Sequence, residues 1–129
     1  MELRTPLARV RGLGSARDGT EQFITQRLTA MALVPLLLWF VFELVALTGA
    51  SHQTVVLWVQ TPSNTVFLIL LIFVLFYHLH IGLFEVLEDY VHSDKLKAVT
   101  MVFMKFSIVA LTVTAVLAVL RIVFVPVGG

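Results

Sequence analysis

The ionisable side chains whose spacing could support chemistry lie in the second of three apolar stretches. In an α-helix His78, Glu85 and Asp89 fall on one stripe, because positions i, i+7 and i+11 are separated by nearly whole turns. Gly82, at position i+4, leaves a gap on the same stripe. His80 is rotated by about 200° from His78 and faces the other way. One helix face thus offers an imidazole, a gap and carboxylates.

This stripe suits a bound haem. The neutral imidazole of His78 is a natural axial ligand of iron, and a glycine at position 82 lets a flat macrocycle lie close to the helix. Haem propionates need cations, and Arg27 at the start of the first apolar stretch supplies one. We expect Arg27 to share a depth with Asp89 and Tyr90. Together a guanidinium, a carboxylate and a phenol can hydrogen-bond a quinone carbonyl and deliver protons to it.

Structural explanations compete with each of these roles. A histidine such as His78 can simply hydrogen-bond across membrane helices, and periodicity leaves ligation and packing both open. Glu85 and Glu88 are typical of a helix end that faces water. On position alone, Asp89 and Tyr90 fit a polar helix terminus with an aromatic belt residue.

Other polar and aromatic residues have simpler explanations. Glu43, near the far end of the first apolar stretch, is expected to snorkel towards water. Trp39 and Trp58 are typical of interface anchoring or of packing. We expect His52 and His92 to lie in solvated loops.

The composition of the chain is that of a membrane protein. Of its 129 residues 59% are hydrophobic and 13% are charged, and the mean hydropathy is +0.98. A soluble domain carries about 25% charged residues, and a small one has too little interior to bury so many apolar side chains. This composition excludes a soluble globule, a disordered chain and a basic nucleic-acid binder. The absence of cysteine excludes disulfides and thiolate metal sites.

The three apolar stretches predict an all-α protein with three transmembrane helices. We place the spans at about residues 25–47, 64–91 and 97–125. Each is long enough to cross a hydrocarbon core of about 30 Å at 1.5 Å per residue. Pro35 is tolerated in the first span, because neighbouring helices can satisfy the carbonyl that it frees. Ser93 or Asp94 is the expected N-cap of the third span.

The placement of basic residues predicts the orientation of the chain. Residues 1–24 are rich in arginine, the loop after the first span holds no lysine or arginine, and the next loop holds Lys95 and Lys97. Positive charge marks the cytoplasmic side, so the N-terminus is expected inside and the C-terminus outside. We expect residues 1–24 to form a cytoplasmic segment, irregular over Arg4–Gly19. Residues 1–129 are interpreted as a single membrane-anchor domain within a multi-subunit helical bundle.

Two segments resemble a known family, the hydrophobic membrane anchor of succinate dehydrogenase (complex II). The segment His78–His92 reads HLHIGLFEVLEDYVH and has the family's histidine, its glycine four residues later and its Asp-Tyr pair eleven residues after the histidine. The segment Phe23–Ala30 reads FITQRLTA and matches the family's Phe-x-x-x-Arg-x-Thr-Ala pattern at the start of the first helix. The likeness extends over the whole chain.

This resemblance implies specific roles for the residues already singled out. The chain is expected to hold one haem b together with a cytochrome b membrane subunit, and His78 matches the axial ligand of the haem iron. Tyr90 matches the tyrosine that binds ubiquinone, next to Asp89, and Arg27 matches an arginine near the haem propionates and the quinone site. His80 departs from the family pattern, and no role is assigned to it.

The resemblance also implies partners and a location. FAD belongs to a flavoprotein subunit and the iron–sulfur clusters to an iron–sulfur subunit, so this chain is a subunit of an oxidoreductase that does not itself bind succinate and carries no catalytic residue. The complex is expected in the bacterial inner membrane, or alternatively the mitochondrial inner membrane, as a possible trimer of heterotetramers. A fumarate reductase anchor and a non-haem three-helix scaffold are the alternatives.

Overall fold

The chain is all-helical over the residues that the computed structural model describes, 14–126, of which residues 14–19 are described by their backbone alone. Within this range four helices follow one another, α1 (Gly14–Ala46), α2 (His52–Gln60), α3 (Pro62–Tyr90) and α4 (Asp94–Val123). Three of them, α1, α3 and α4, are long and apolar enough to span a membrane. The prediction of an all-α protein with three spans is confirmed.

Helix α1 begins earlier than the sequence pattern predicts. The expectation of an irregular backbone up to Gly19 is wrong for residues 14–19, which are helical, and the part of the predicted segment before Gly14 lies outside the described residues. A glycine in a helix costs only about 1 kcal/mol relative to alanine, and extending an existing helix needs no new nucleation. Pro35 lies inside α1 without ending it, as expected.

The connection between the first two spans contains the short helix α2, where the sequence pattern predicts a loop. The hydroxyl of Ser51 accepts a hydrogen bond from the backbone N–H of Thr54 and caps the first turn. His52, expected in a loop, is therefore the first residue of a helix. Pro62 opens α3 directly afterwards, because proline fits the first turn of a helix and cannot continue a preceding one.

Helices α1 and α3 run antiparallel, and two contacts fix their register. Thr29 hydrogen-bonds His78, and ten residues further along α1 the ring of Trp39 meets the ring of Phe67 edge-on at 5.3 Å between centroids. The residue number rises along one helix as it falls along the other. The end of the bundle that carries Tyr90 is called the tyrosine end below, and the opposite end the tryptophan end.

Helix α4 also runs antiparallel to α3. At the tryptophan end the side-chain amide of Gln60 donates hydrogen bonds to the carbonyl oxygens of Ile122, at 3.1 Å, and Val125, at 2.7 Å. At the tyrosine end a short link joins α3 to α4, and the hydroxyl of Ser93 accepts a bond from Leu96 N. Ser93 is thus the N-cap, one of the two residues predicted for that role.

The middle span α3 is the most buried of the three. In the most apolar 18-residue stretch of each span, the share of buried residues is 17% for α3, 6% for α1 and zero for α4. The buried apolar side chains of the described residues are Leu33, Val59, Leu68, Leu71, Ile81, Met104 and Ile108. Because this core is small, most apolar side chains lie on the surface of the bundle, as expected for a chain surrounded by lipid and neighbouring helices.

An aromatic cluster closes the tryptophan end. Trp39 stacks on Trp58 at 5.8 Å between centroids with 19° between the ring planes, which confirms the packing interpretation of these tryptophans. The indole Nε1 of Trp58 donates a hydrogen bond to a carboxylate oxygen of Glu43 at 2.8 Å. Glu43, which is expected to snorkel towards water, thus has a hydrogen-bond donor on α2, a helix that the sequence pattern does not predict.

Candidate functional site

The imidazole of His78 lies half-buried on α3 and faces α1. Its Nδ1 is 2.8 Å from the hydroxyl oxygen of Thr29, a cross-helix hydrogen bond. The same hydroxyl donates towards the backbone carbonyl oxygens of Thr25 and Gln26, both at 2.9 Å. The other ring nitrogen of His78, Nε2, makes no hydrogen bond within the described part of the chain. Helix packing therefore uses only one of the two imidazole nitrogens.

Open space lies beside Gly82, one helical turn from His78. Apart from its chain neighbours and the local backbone of α3, no atom would lie within 4 Å of a Cβ atom added at Gly82. Glu85, on the same stripe, is half-buried. An imidazole with a free nitrogen and a side-chain-free surface one turn away fit a flat, iron-bearing macrocycle.

The described residues do not form a metal site by themselves. Within residues 20–126, no group of three or more histidine, aspartate or glutamate side chains is arranged to hold a metal ion. His78 is therefore not part of a metal centre built from three or more side chains of the described residues. A single imidazole with a free nitrogen fits a haem, whose iron is otherwise held by the macrocycle.

Arg27 does not lie level with Asp89 and Tyr90, so the expectation of a shared depth is wrong for these helix positions. The pairing of Thr29 with His78 places Arg27 beside the level of His80. Asp89 is nine residues further along α3, about 13 Å of helix rise. The reason is the extension of α1 to Gly14, which leaves Arg27 well inside the helix and not at its start.

The side chain of Arg27 nevertheless reaches towards the tyrosine end. Its guanidinium carbon lies 5.1 Å from the ring centroid of Phe23, one turn nearer that end, in a cation–π contact. The residue is exposed, and no carboxylate within residues 20–126 pairs with it. Arg27 is therefore a cation available to an anionic group at a depth between those of His78 and Asp89.

Asp89 and Tyr90 are the last two residues of α3 and lie on the open surface of the tyrosine end. The helix ends where the backbone turns extended at Val91, whose N–H donates to the carbonyl of Leu87. Tyr90 is 77% exposed, and within the described residues neither side chain has a hydrogen bond or a ring contact. The phenol and the carboxylate are adjacent, and the described side chains do not enclose them.

His80 and Tyr77 line two open grooves, which depend on how the helices pack and could not be predicted from the sequence. One groove, of about 370 Å³, lies between α1 and α3 and is bordered by Glu21, Gln22 and Thr25. The other, of about 410 Å³ and almost wholly apolar, lies between α3 and α4. His80 thus faces different surroundings from His78, as the helical period predicts.

Thr29 is the contact of the site that sequence reasoning missed. It belongs to the segment FITQRLTA, where only the arginine received a role. The sequence shows a small polar residue two positions after that arginine. Its contact with His78 follows only from the register between α1 and α3.

Comparison with known proteins gives a consistent result. Residues 1–125 match the family described as succinate dehydrogenase/fumarate reductase transmembrane subunit. The chain is 27% identical over 111 residues to the succinate dehydrogenase hydrophobic membrane anchor subunit of Rickettsia bellii, covering 85% of this chain and 89% of the relative.

Two further relatives have similar names. The subunit of the same name from Rickettsia conorii is 23% identical over 118 residues, covering 91% of this chain and 94% of the relative. The succinate dehydrogenase membrane anchor subunit of Reclinomonas americana is 28% identical over 87 residues, covering 65% and 72%. No solved structure matches the chain significantly.

Proposed function

The chain belongs to the succinate dehydrogenase/fumarate reductase transmembrane subunit family, and from that membership we propose that it anchors a succinate dehydrogenase in the membrane and helps to bind one haem b and ubiquinone. The names of its relatives and its three apolar spans support the anchoring role. In this proposal it binds no succinate. A flavoprotein subunit with FAD and an iron–sulfur subunit carry the electrons to it, and a cytochrome b subunit completes the bundle.

The observation that carries the haem part of the proposal is the unpaired Nε2 of His78 beside the open space at Gly82. His78 would supply one axial ligand, and the partner membrane subunit the other. Arg27 would neutralise a propionate, because its guanidinium is exposed and lacks a carboxylate partner in the described chain. A bound haem supplies a one-electron store near the quinone.

Tyr90 and Asp89 carry the quinone part of the proposal. The phenol hydroxyl of Tyr90 would donate a hydrogen bond to a quinone carbonyl oxygen and so hold the head group. The carboxylate of Asp89, exposed at the same helix end, would accept a proton from water and pass it towards the reduced quinone. The partner subunits would cover this open surface and exclude bulk water from it.

Two alternatives remain distinct from this proposal. A structural scaffold without haem is favoured by the Thr29–His78 hydrogen bond, which is what a packing histidine would make. A fumarate reductase anchor is equally compatible with the family description, since the direction of the redox reaction is set by the quinone potential and the flavoprotein. In either case we propose the bacterial inner membrane as the location, with the mitochondrial inner membrane as the alternative.

Replacing each histidine of the middle span in turn tests the haem proposal. In the purified complex, we expect His78→Leu to abolish the b-type absorbance, measured as a reduced-minus-oxidised spectrum and normalised to flavin. The matched control is His80→Leu on the same helix, which should leave the spectrum intact. An unchanged spectrum after His78→Leu would overturn the ligand assignment, and a wild-type complex without b-type absorbance would establish the scaffold.

A further inference from the structure

The hydroxyl of Thr29 lies where it can decide which nitrogen of His78 carries the proton. We propose that Thr29 is a positioning residue, which holds the imidazole of His78 with its proton on Nδ1 and leaves the lone pair of Nε2 free for iron. This inference rests on the proposed haem-binding function and adds to it a residue of α1 that acts through the ligand.

The hydrogen-bond inventory around Thr29 determines the direction of the bond. Its hydroxyl has one proton and two lone pairs, whereas a backbone carbonyl can only accept. Two such carbonyl oxygens, those of Thr25 and Gln26, lie 2.9 Å from Oγ1, so the single hydroxyl proton points to them. The third neighbour, Nδ1 of His78 at 2.8 Å, must then donate.

The opposite assignment is electrostatically unfavourable. If the hydroxyl donated its proton to Nδ1, its lone pairs would face two carbonyl oxygens at hydrogen-bond distance. Both carbonyls already belong to the backbone of α1, so they cannot turn away without disrupting the helix. The surroundings of Thr29 therefore favour the Nδ1–H form of His78.

A proton on Nδ1 has two consequences for a metal ligand. Neutral imidazole has a single N–H, so Nε2 must carry the lone pair that binds iron. A ligating histidine that donates its other N–H is also held in orientation and becomes a stronger electron donor. Losing such an outer partner typically weakens metal binding by about 10- to 100-fold.

No other side chain within residues 20–126 can take over this task. Thr29 is the sole hydrogen-bond partner of His78 in that range. Thr25, one turn away on α1, donates to the carbonyl of Glu21 and borders the groove at His80. Removing the Thr29 hydroxyl would thus leave Nδ1–H without an acceptor among the described residues.

Substitution of Thr29 in the whole purified complex tests the inference. Thr29→Val keeps the shape of the side chain and removes the hydroxyl, whereas Thr29→Ser keeps the hydroxyl. Thr112→Val is the matched control, since Thr112 is also half-buried and bonds the carbonyl four residues earlier, at 2.7 Å from Ile108 O, without contacting His78. The measurements are the haem-to-flavin ratio and the midpoint potential of the haem in a redox titration.

We expect Thr29→Val to raise the midpoint potential and to lower haem affinity by about 10- to 100-fold, because a weaker imidazole donor stabilises ferric iron less. Thr29→Ser and Thr112→Val should match the wild type. If Thr29→Val prevents assembly of the complex, the same measurements are made on Thr29→Ala, which also lacks the hydroxyl and adds no bulk.

A wild-type potential and haem content in the variant without the hydroxyl would overturn the role of Thr29. So would an equal shift in Thr112→Val, because it would show a general effect of losing a helix hydroxyl. If His78→Leu leaves the haem in place, the haem proposal itself has failed. If His78→Leu removes the haem and Thr29→Val changes nothing, only the positioning role has failed.

Discussion

Trp58 donates a hydrogen bond from its indole Nε1 to a carboxylate oxygen of Glu43 at 2.8 Å, and this contact joins α2 to the last turns of α1. It gives a glutamate in an apolar span a defined partner. Trp39 stacks on the same indole and meets Phe67 of α3, so aromatic rings of three helices come together at Trp39. The tryptophan end is thus a structural unit, separate from the residues proposed to carry chemistry.

Trp58→Phe is expected to destabilise the protein at this end. Phenylalanine preserves most of the aromatic packing but leaves the Glu43 carboxylate without its donor, a loss of about 1.5–3 kcal/mol for a hydrogen bond to a charged group. The apparent melting temperature of the purified complex measures the effect. Glu43→Gln is the control, because its amide oxygen can still accept from Trp58, and a loss as large as that of Trp58→Phe would contradict the explanation.

Tyr90→Phe is expected to slow quinone reduction by about tenfold, the effect of losing one hydrogen bond of about 1.4 kcal/mol to the substrate. Succinate oxidation by an artificial dye should stay at the wild-type rate, because the dye bypasses the quinone. Tyr77→Phe is the matched control, since Tyr77 is the other tyrosine of the chain and lies on the same helix. Equal quinone turnover in both variants would remove Tyr90 from the site.

Bulk at position 82 should exclude the haem without disturbing the chain. Apart from its chain neighbours and the local backbone of α3, no atom lies within 4 Å of a Cβ added to Gly82, so we expect Gly82→Leu to leave α3 folded. If a macrocycle lies against that position, the leucine variant loses haem while Gly82→Ala loses less. The haem-to-flavin ratio of each purified variant measures this loss. Full haem content in Gly82→Leu would show that the macrocycle does not lie against position 82.

Removing the charge of Arg27 should lower the haem midpoint potential. A nearby cation stabilises the more negative, reduced haem, so Arg27→Gln favours the oxidised form, the opposite sign to that expected for Thr29→Val. An interaction of roughly 1 kcal/mol corresponds to a shift on the order of 40 mV.

Two variants control the test of Arg27. Arg27→Lys keeps the charge and should keep most of the potential. Arg121→Gln removes a charge in the last turn of α4, at the tryptophan end, and should have no effect. A downward shift of the same size from Arg121→Gln would show a general field effect and not a propionate contact.

The predicted orientation can be tested by cysteine labelling, because the chain has no natural cysteine. His92 and Gln53 are both exposed; His92 lies in the link after α3, and Gln53 lies in the connection before it, near the start of α2. With the N-terminus inside, His92→Cys should react with an impermeant maleimide only in inside-out vesicles, and Gln53→Cys only in right-side-out ones. The reverse pattern would contradict the positive-inside prediction.

The membrane spans could be predicted from the sequence because hydropathy is a local property. Each stretch of about 20 apolar residues must be helical in lipid, where every backbone group needs a partner within its own segment. Helix α2 escaped prediction because it is too short to span, and its formation depends on the Ser51 cap and on packing against α3 and α4. The start of α1 could not be predicted because no strong signal in the sequence before the span marks where the helix begins.

The sequence by itself determined which face of the middle helix carries His78, Gly82 and Asp89, since helical periodicity fixes angles within one helix. It could not determine the register between helices, which arises from side-chain packing across their interface. Only the tertiary structure decided that Thr29 contacts His78. It also decided that the helix position of Arg27 lies further from the tyrosine end than that of Asp89. Depth along a single helix follows from counting residues, but depth shared between two helices follows from which side chains touch.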